Sequence, residues 1–149
     1  MTRKILVING PNLNLLGERE PGVYGEGSFE QLNLDILETA KKLGLKCEVF
    51  QSNHEGEIID KLHNCRTNCS GVVINAGAYT HYSYAIRDAI SAIKIPCIEV
   101  HISNVFARDE FRSHSVISAV CAGTICGLGR NGYFLAMRAL ADMFDNKNQ

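Results

Sequence analysis

The chain has 149 residues, six cysteines and a formal net charge of −1. That length fits one domain with a sizeable core, and the near-neutral balance gives no basic field for nucleic acid or an anionic membrane surface. No apolar run reaches membrane-spanning length, and the first one is interrupted by Asn9-Gly10 before it makes a signal-peptide core. Cys47, Cys97, Cys121 and Cys126 sit in apolar segments, where a thiol packs as a small hydrophobe. Reduced thiols and a cytoplasmic protein are expected.

Lys4–Asn9 reads as a β-branched-rich strand, and Asn9-Gly10-Pro11-Asn12 after it is turn chemistry. The stretch on to Gly25 carries Arg19 and Tyr24 among Leu13, Leu15, Leu16 and Val23. Loops this long are usually functional or disordered. The packing residues argue against disorder, so residues 16–25 are expected to form a lid over a site at the end of the first strand. Ser28 and Gln31 then have capping-box spacing, with Leu32, Ile36, Leu37 and Ala40 at helical intervals as far as Gly44. A second strand is expected at 46–51, a helix at 57–66 and a third strand at 71–75. A third helix is expected at 79–93 and a fourth strand at 95–100. After an irregular stretch from Ser103 to about Ser115, the second half of 118–126 reads as a fifth strand. Tyr133 to Phe144 reads as a last helix with Leu135, Ala136, Ala139, Leu140 and Met143 inward, and the polar tail from Asp145 is expected to fray.

Strands alternating with helices predict a parallel sheet covered on both faces. Five such units are too few for an eight-fold barrel. The expected fold is a single α/β domain, residues 1–149, with a flavodoxin-like doubly wound five-stranded parallel sheet. Its order is 2-1-3-4-5, in three α/β/α layers, with the ligand crevice between strands one and three.

Ligands in such sheets bind at the carboxyl ends of the strands. Those ends carry Asn9 and Asn12, then Ser52-Asn53-His54, then Asn75, then Glu99-Val100-His101-Ile102-Ser103-Asn104. Glu99 and His101 are two apart and share a strand face. A carboxylate beside an imidazole fixes its tautomer and suits it to general acid work, and it equally suits a histidine bonded for structure alone. His81, Ala85 and Asp88 share a helix face, with His81 in the first turn; a solvated face explains this as well as an anion site does. Arg19 near Tyr24 would favour a tyrosinate, and a surface arginine with a loop-anchoring tyrosine is the plainer alternative. Gly127-x-Gly129-x-x-Gly132 matches a dinucleotide fingerprint. The chain stops 17 residues later with no further strand, so a tight strand-to-helix turn is the better reading. His63, Cys65 and Cys69 lack a fourth ligand at zinc-finger spacing. No lysine stands at a strand end for Schiff-base chemistry, and no nucleophile elbow or P-loop occurs. What remains is acid–base chemistry on a small polar molecule.

The pieces NGPNLNLLGEREPGVYG, QSNHEGEIID, NAGAYTHYSYAIRDAI, IEVHISN, FRSHSVIS and GTICGLGRNGY, in that order, resemble the type II 3-dehydroquinate dehydratases over essentially the whole chain. Departures from the family pattern are Ala76 for a usual proline, Tyr82 for threonine, Asp109 for glutamate and Ser113 for histidine; none removes a catalytic side chain. The resemblance implies trans elimination of water from 3-dehydroquinate to 3-dehydroshikimate, with no metal or cofactor, in the shikimate pathway or quinate breakdown. Carried over by motif, Tyr24 is the base, Arg19 keeps it ionised, and Asn12 holds a water at the enolate oxygen. His101, oriented by Glu99, protonates the departing hydroxyl. Asn75, His81, Arg112 and the backbone of Ile102 and Ser103 hold the carboxylate and hydroxyls. Asp88 binds near the substrate, from a neighbouring subunit. The family's assembly, a homododecamer built as four trimers, comes with the resemblance. Against a receiver module stand the amides Asn9 and Asn12, where paired acids are needed. Against a flavin module stands Gly10-Pro11-Asn12-Leu13, which is not a phosphate loop. Every expected role has its residue, which disfavours a catalytically dead relative.

Overall fold

The structure is a computed structural model and describes residues 2–18 and 27–147. Five parallel strands, β1 (Lys4–Asn9), β2 (Lys46–Gln51), β3 (Gly71–Asn75), β4 (Cys97–His101) and β5 (Gly123–Cys126), form one sheet in the order β2-β1-β3-β4-β5. The helices are α1 (Phe29–Lys42), α2 (Glu55–Cys65), α3 (Tyr84–Ile93) and α4 (Asn131–Lys147). The expected order and layering are those observed.

Period-two alternation in β1 sets up both layers. Ile5 and Val7 face one side with Val73, Ile98 and Val100, covered by Leu32, Ile36 and Ala40 of α1 and Ala136, Met137 and Leu140 of α4. Leu6 and Ile8 face the other with Val72 and Ile74, covered by Ile58 and Leu62 of α2 and Ile86, Ala89 and Ile90 of α3. Each fully buried aliphatic side chain contributes about 1.5–3 kcal/mol of transfer free energy.

Several local details differ from expectation, and β4 runs over Cys97–His101 where 95–100 was expected. At α1, Ser28 Oγ accepts from the Gln31 N–H at 3.0 Å, but Gln31 Nε2 donates to Asp35 at 2.9 Å instead of reaching back, so half the capping box forms. Helix α2 begins at Glu55, two residues early, with His54 as its N-terminal boundary. The expected helix over 79–93 is two pieces: a 3₁₀ turn at Gly77–His81, then α3. Ser83 divides them, because its Oγ accepts from the Ile86 N–H at 3.1 Å and caps a new helix start. Helix α4 starts at Asn131 and continues through the polar tail to Lys147; its buried face is Tyr133, Ala136, Met137, Leu140 and Phe144, while Leu135 is exposed.

The ends of β1 and β3 are in backbone contact. Gly10 N donates to Asn75 O at 2.7 Å, and a Cβ on Gly10 would stand 2.5 Å from the Ala76 carbonyl oxygen. Only glycine permits that approach, so the crevice between these strands has a fixed floor.

Candidate active site

The β4 end is organised by the same alternation. Val100 and Ile102 turn into the α1/α4 layer, leaving Glu99 and His101 on the opposite face, 1% and 6% exposed. Glu99 Oε2 pairs with His101 Nε2. Glu99 Oε1 accepts from Ser118 Oγ, from Ser115 Oγ at 3.1 Å and, at 3.4 Å, from Thr124 Oγ1. Burial pushes the Glu99 carboxyl up, but the bonds from His101 and Ser118 outweigh it and hold Glu99 below the ordinary carboxylate value. With Nε2 engaged, Nδ1 of His101 has no hydrogen bond among the described residues and is the atom left for a ligand.

His81 lies across from it, with ring centroids 6.4 Å apart and planes 19° from parallel. His81 Nδ1 is 2.8 Å from the His114 carbonyl oxygen, which can only accept, so Nδ1 carries the proton. Burial lowers the His81 pKa, against the opposing pull of the His114 carbonyl. The neutral ring therefore presents Nε2 as an acceptor. Because the chain breaks at Ser83, His81 is not in the first turn of α3, and it shares no helix face with Asp88, contrary to expectation.

The ends of β1 and β3 complete the rim. Asn12 sits in the left-handed region, φ 70°, which asparagine tolerates better than most side chains. Its N–H donates to Asn53 Oδ1 at 3.0 Å. Asn75 is buried: its Oδ1 accepts from Gly77 N at 3.1 Å and its Nδ2 donates to the Tyr133 hydroxyl at 3.0 Å. That hydroxyl in turn donates to Asn9 Oδ1.

One cavity is lined by Asn12, Asn75, His81, His101, Ile102, Ser103 and Arg112 together. Arg112 stacks on Phe111 at 4.7 Å, and its buried Nε stands 3.5 Å from Asp109 Oδ2 as an ion pair, with no hydrogen bond among the described residues. Glu99 stands behind His101 and does not line the cavity. Asp88 is exposed on α3, outside the cavity of its own chain, and so is His54. Arg19, Tyr24 and most of the expected lid lie outside the described residues. Sequence reasoning missed Arg108, which lines the cavity and donates to Ser103 Oγ at 3.3 Å; it is extended between two short 3₁₀ turns, where no spacing pattern marks it. It also missed Ser115, Ser118 and Thr124, whose roles depend on a fold-back that no local spacing encodes. The Gly127–Gly132 segment is the tight turn expected: Gly127 N and Gly129 N donate to the carbonyls of His101 and Ile102 at 3.2 and 3.0 Å.

A doubly wound sheet whose switch-point crevice gathers amides, an arginine and a carboxylate-held imidazole defines an α/β protein equipped for acid–base chemistry on a small polar anion. The chain belongs to the dehydroquinase class II family, whose model matches residues 3–141. It is 56% identical over 138 residues to the 3-dehydroquinate dehydratase of Pelotomaculum thermopropionicum, covering 93% of this chain and 96% of that one. It superposes on the crystal structure of type II dehydroquinase from Butyrivibrio crossotus with a TM-score of 0.92 at 54% identity, covering 93% of this chain and 97% of that one. The type II dehydroquinase from Propionibacterium acnes gives a TM-score of 0.92 at 48% identity, with 95% and 98% covered.

Proposed function

We propose that this chain is a 3-dehydroquinate dehydratase that removes water from 3-dehydroquinate by trans elimination, giving 3-dehydroshikimate. The observation that carries the residue assignment is the buried Glu99–His101 pair at the edge of a cavity shared with Asn12, Asn75 and Arg112.

Tyr24, ionised with the help of Arg19, takes the proton from the carbon next to the ketone. The C–H electron pair moves into an enolate, and Asn12 holds a water against its oxygen. Asn12 suits this role because its backbone is pinned to Asn53 while its side chain makes no hydrogen bond among the described residues. The enolate re-forms the ketone as the hydroxyl leaves, and His101 donates the proton that makes the leaving group water. Glu99 offsets the charge on His101 and fixes its ring.

The carboxylate and hydroxyls of the substrate are held by Asn75, His81, Arg112 and the backbone of Ile102 and Ser103. Arg112 supports this with a guanidinium that lines the cavity, and neutral His81 supports it by presenting Nε2 to a hydroxyl. Asp88, exposed on α3, serves the site of a neighbouring copy in a homododecamer of four trimers. The enzyme works in the cytoplasm, in aromatic biosynthesis or quinate breakdown, and needs no metal or cofactor.

Near-ultraviolet absorbance tests the activity, because the product is a conjugated enone. Chelator-treated protein with 3-dehydroquinate should show absorbance growth; none with verified substrate would refute the reading. Borohydride added with substrate should leave activity intact, since no imine forms, and a covalent lysine adduct would point to a different mechanism.

A further inference from the structure

Glu99 is a carboxylate with almost no contact with water, so its charge is maintained by its neighbours. One imidazole engages Oε2, and Oε1 faces hydroxyls from two separate parts of the chain. An sp² oxygen offers two lone-pair directions. Ser118 and Ser115 fill them at close range, while Thr124 Oγ1 stands 3.4 Å from Glu99 and 3.3 Å from Ser118 Oγ, behind the serine. Ser115 has a second duty, since its Oγ accepts from the N–H groups of Ile117 and Ser118 at 3.3 and 3.1 Å and anchors the turn. Ser118 Oγ has no such backbone bond among the described residues.

We propose that Ser118, backed by Thr124 and joined by Ser115, is a positioning residue that keeps Glu99 anionic and aimed at His101. The inference rests on reading His101 as the acid that protonates the leaving hydroxyl. A hydroxyl is the donor suited to this place. It stabilises the anion without bringing a second positive charge, which would compete with His101 for Glu99. The other titratable or charged groups facing Glu99 are Arg112, His114 and Cys126 along the adjoining cavity, His81 across from His101, and Cys97 on its own strand. None of them donates a hydrogen bond to Glu99, so the hydroxyls and His101 carry the anion.

The test follows the ionisation of Glu99 directly, by carbon NMR of protein labelled at the glutamate carboxyls, with the Glu99 resonance assigned through Glu99→Gln. The pH profile of kcat/KM on 3-dehydroquinate is recorded alongside. A lost hydrogen bond to a charged group corresponds to roughly one pH unit or more. In Ser118→Ala the Glu99 midpoint should rise by about that much, with the acid limb of the profile moving in step. Ser118→Thr, which keeps the hydroxyl, should restore both. An unmoved midpoint, an equal shift in Ser118→Thr, or a lower melting temperature without a shift would overturn the proposal. If Ser118→Ala does not fold, Thr124→Val should give a smaller shift of the same sign, and no shift there overturns it too. A moved resonance with no turnover in any protein would refute the dehydratase reading and support the hydroxyl cradle; normal turnover with an unmoved resonance would do the reverse.

Discussion

Glu48 and Glu99 are both carboxylates held below their ordinary pKa, on strands separated by β1 and β3 and for different reasons. Glu48, early in β2, sits between two ammonium groups: Lys61 bonds to Oε2 and Lys4 approaches Oε1 at 3.2 Å. The Lys61 bond is the main cause of its shift, and its side chain is 38% exposed. Among the described residues no ammonium or guanidinium bonds to Glu99, and it has almost no water; its shift comes from an imidazole and hydroxyls acting against burial. A surface ion pair of the first kind contributes little and is screened by salt. A buried network of the second kind is costly to leave incomplete, and it aims one specific side chain at a cavity. A displaced pKa alone therefore does not mark a site; the nature and depth of its partners do.

The effects of altering the two carboxylate networks range from large to small. Removing the proposed acid, His101→Ala, or the proposed base, Tyr24→Phe, should lower kcat by about 10²–10⁴-fold with the circular dichroism of the wild type retained. Near-normal turnover in either would break the assignment of that residue. Glu99→Gln should come next, with kcat down on the order of 10²-fold, because an amide neither offsets the charge on His101 nor accepts at both of its terminal atoms. Its unfolding free energy should fall by about 1–3 kcal/mol in urea titrations. Glu48→Gln should leave kcat unchanged and cost less than about 1 kcal/mol, an amount that shrinks further as salt is raised. If Glu48→Gln matched Glu99→Gln in either readout, the contrast between the two carboxylates would collapse.

The pH dependence of stability follows the same contrast. Both folded-state values lie below the usual 4.5, so each group contributes stability that is complete above that value and is lost as pH falls through its folded value. Acid unfolding of Glu99→Gln should therefore lose pH dependence in that window, and added salt should not mimic the change. Salt should mimic most of the change produced by Glu48→Gln.

The layers were legible in the sequence because alternation in β1 and helical spacing in α1 are local patterns with one physical reading each. The break at Ser83 was not, since 79–93 has helical apolar spacing throughout and the competing cap is a single hydroxyl. Glu99 and His101 could be paired from a two-residue offset on a strand, whereas their surroundings could not. Ser115 and Ser118 lie in a stretch without periodicity and meet Glu99 only after the chain folds back over the sheet. Arg112 stood out by resemblance alone; its place in the cavity wall beside His81 and His101 belongs to tertiary structure.

Trans elimination takes a proton and a hydroxyl from opposite faces of one substrate. The most direct measurement uses 3-dehydroquinate deuterated on the carbon next to the ketone, on the face opposite the departing hydroxyl, with mass spectrometry of the product. The account predicts 3-dehydroshikimate that has lost the deuterium. Product that retains it, or no product at all, would contradict the account.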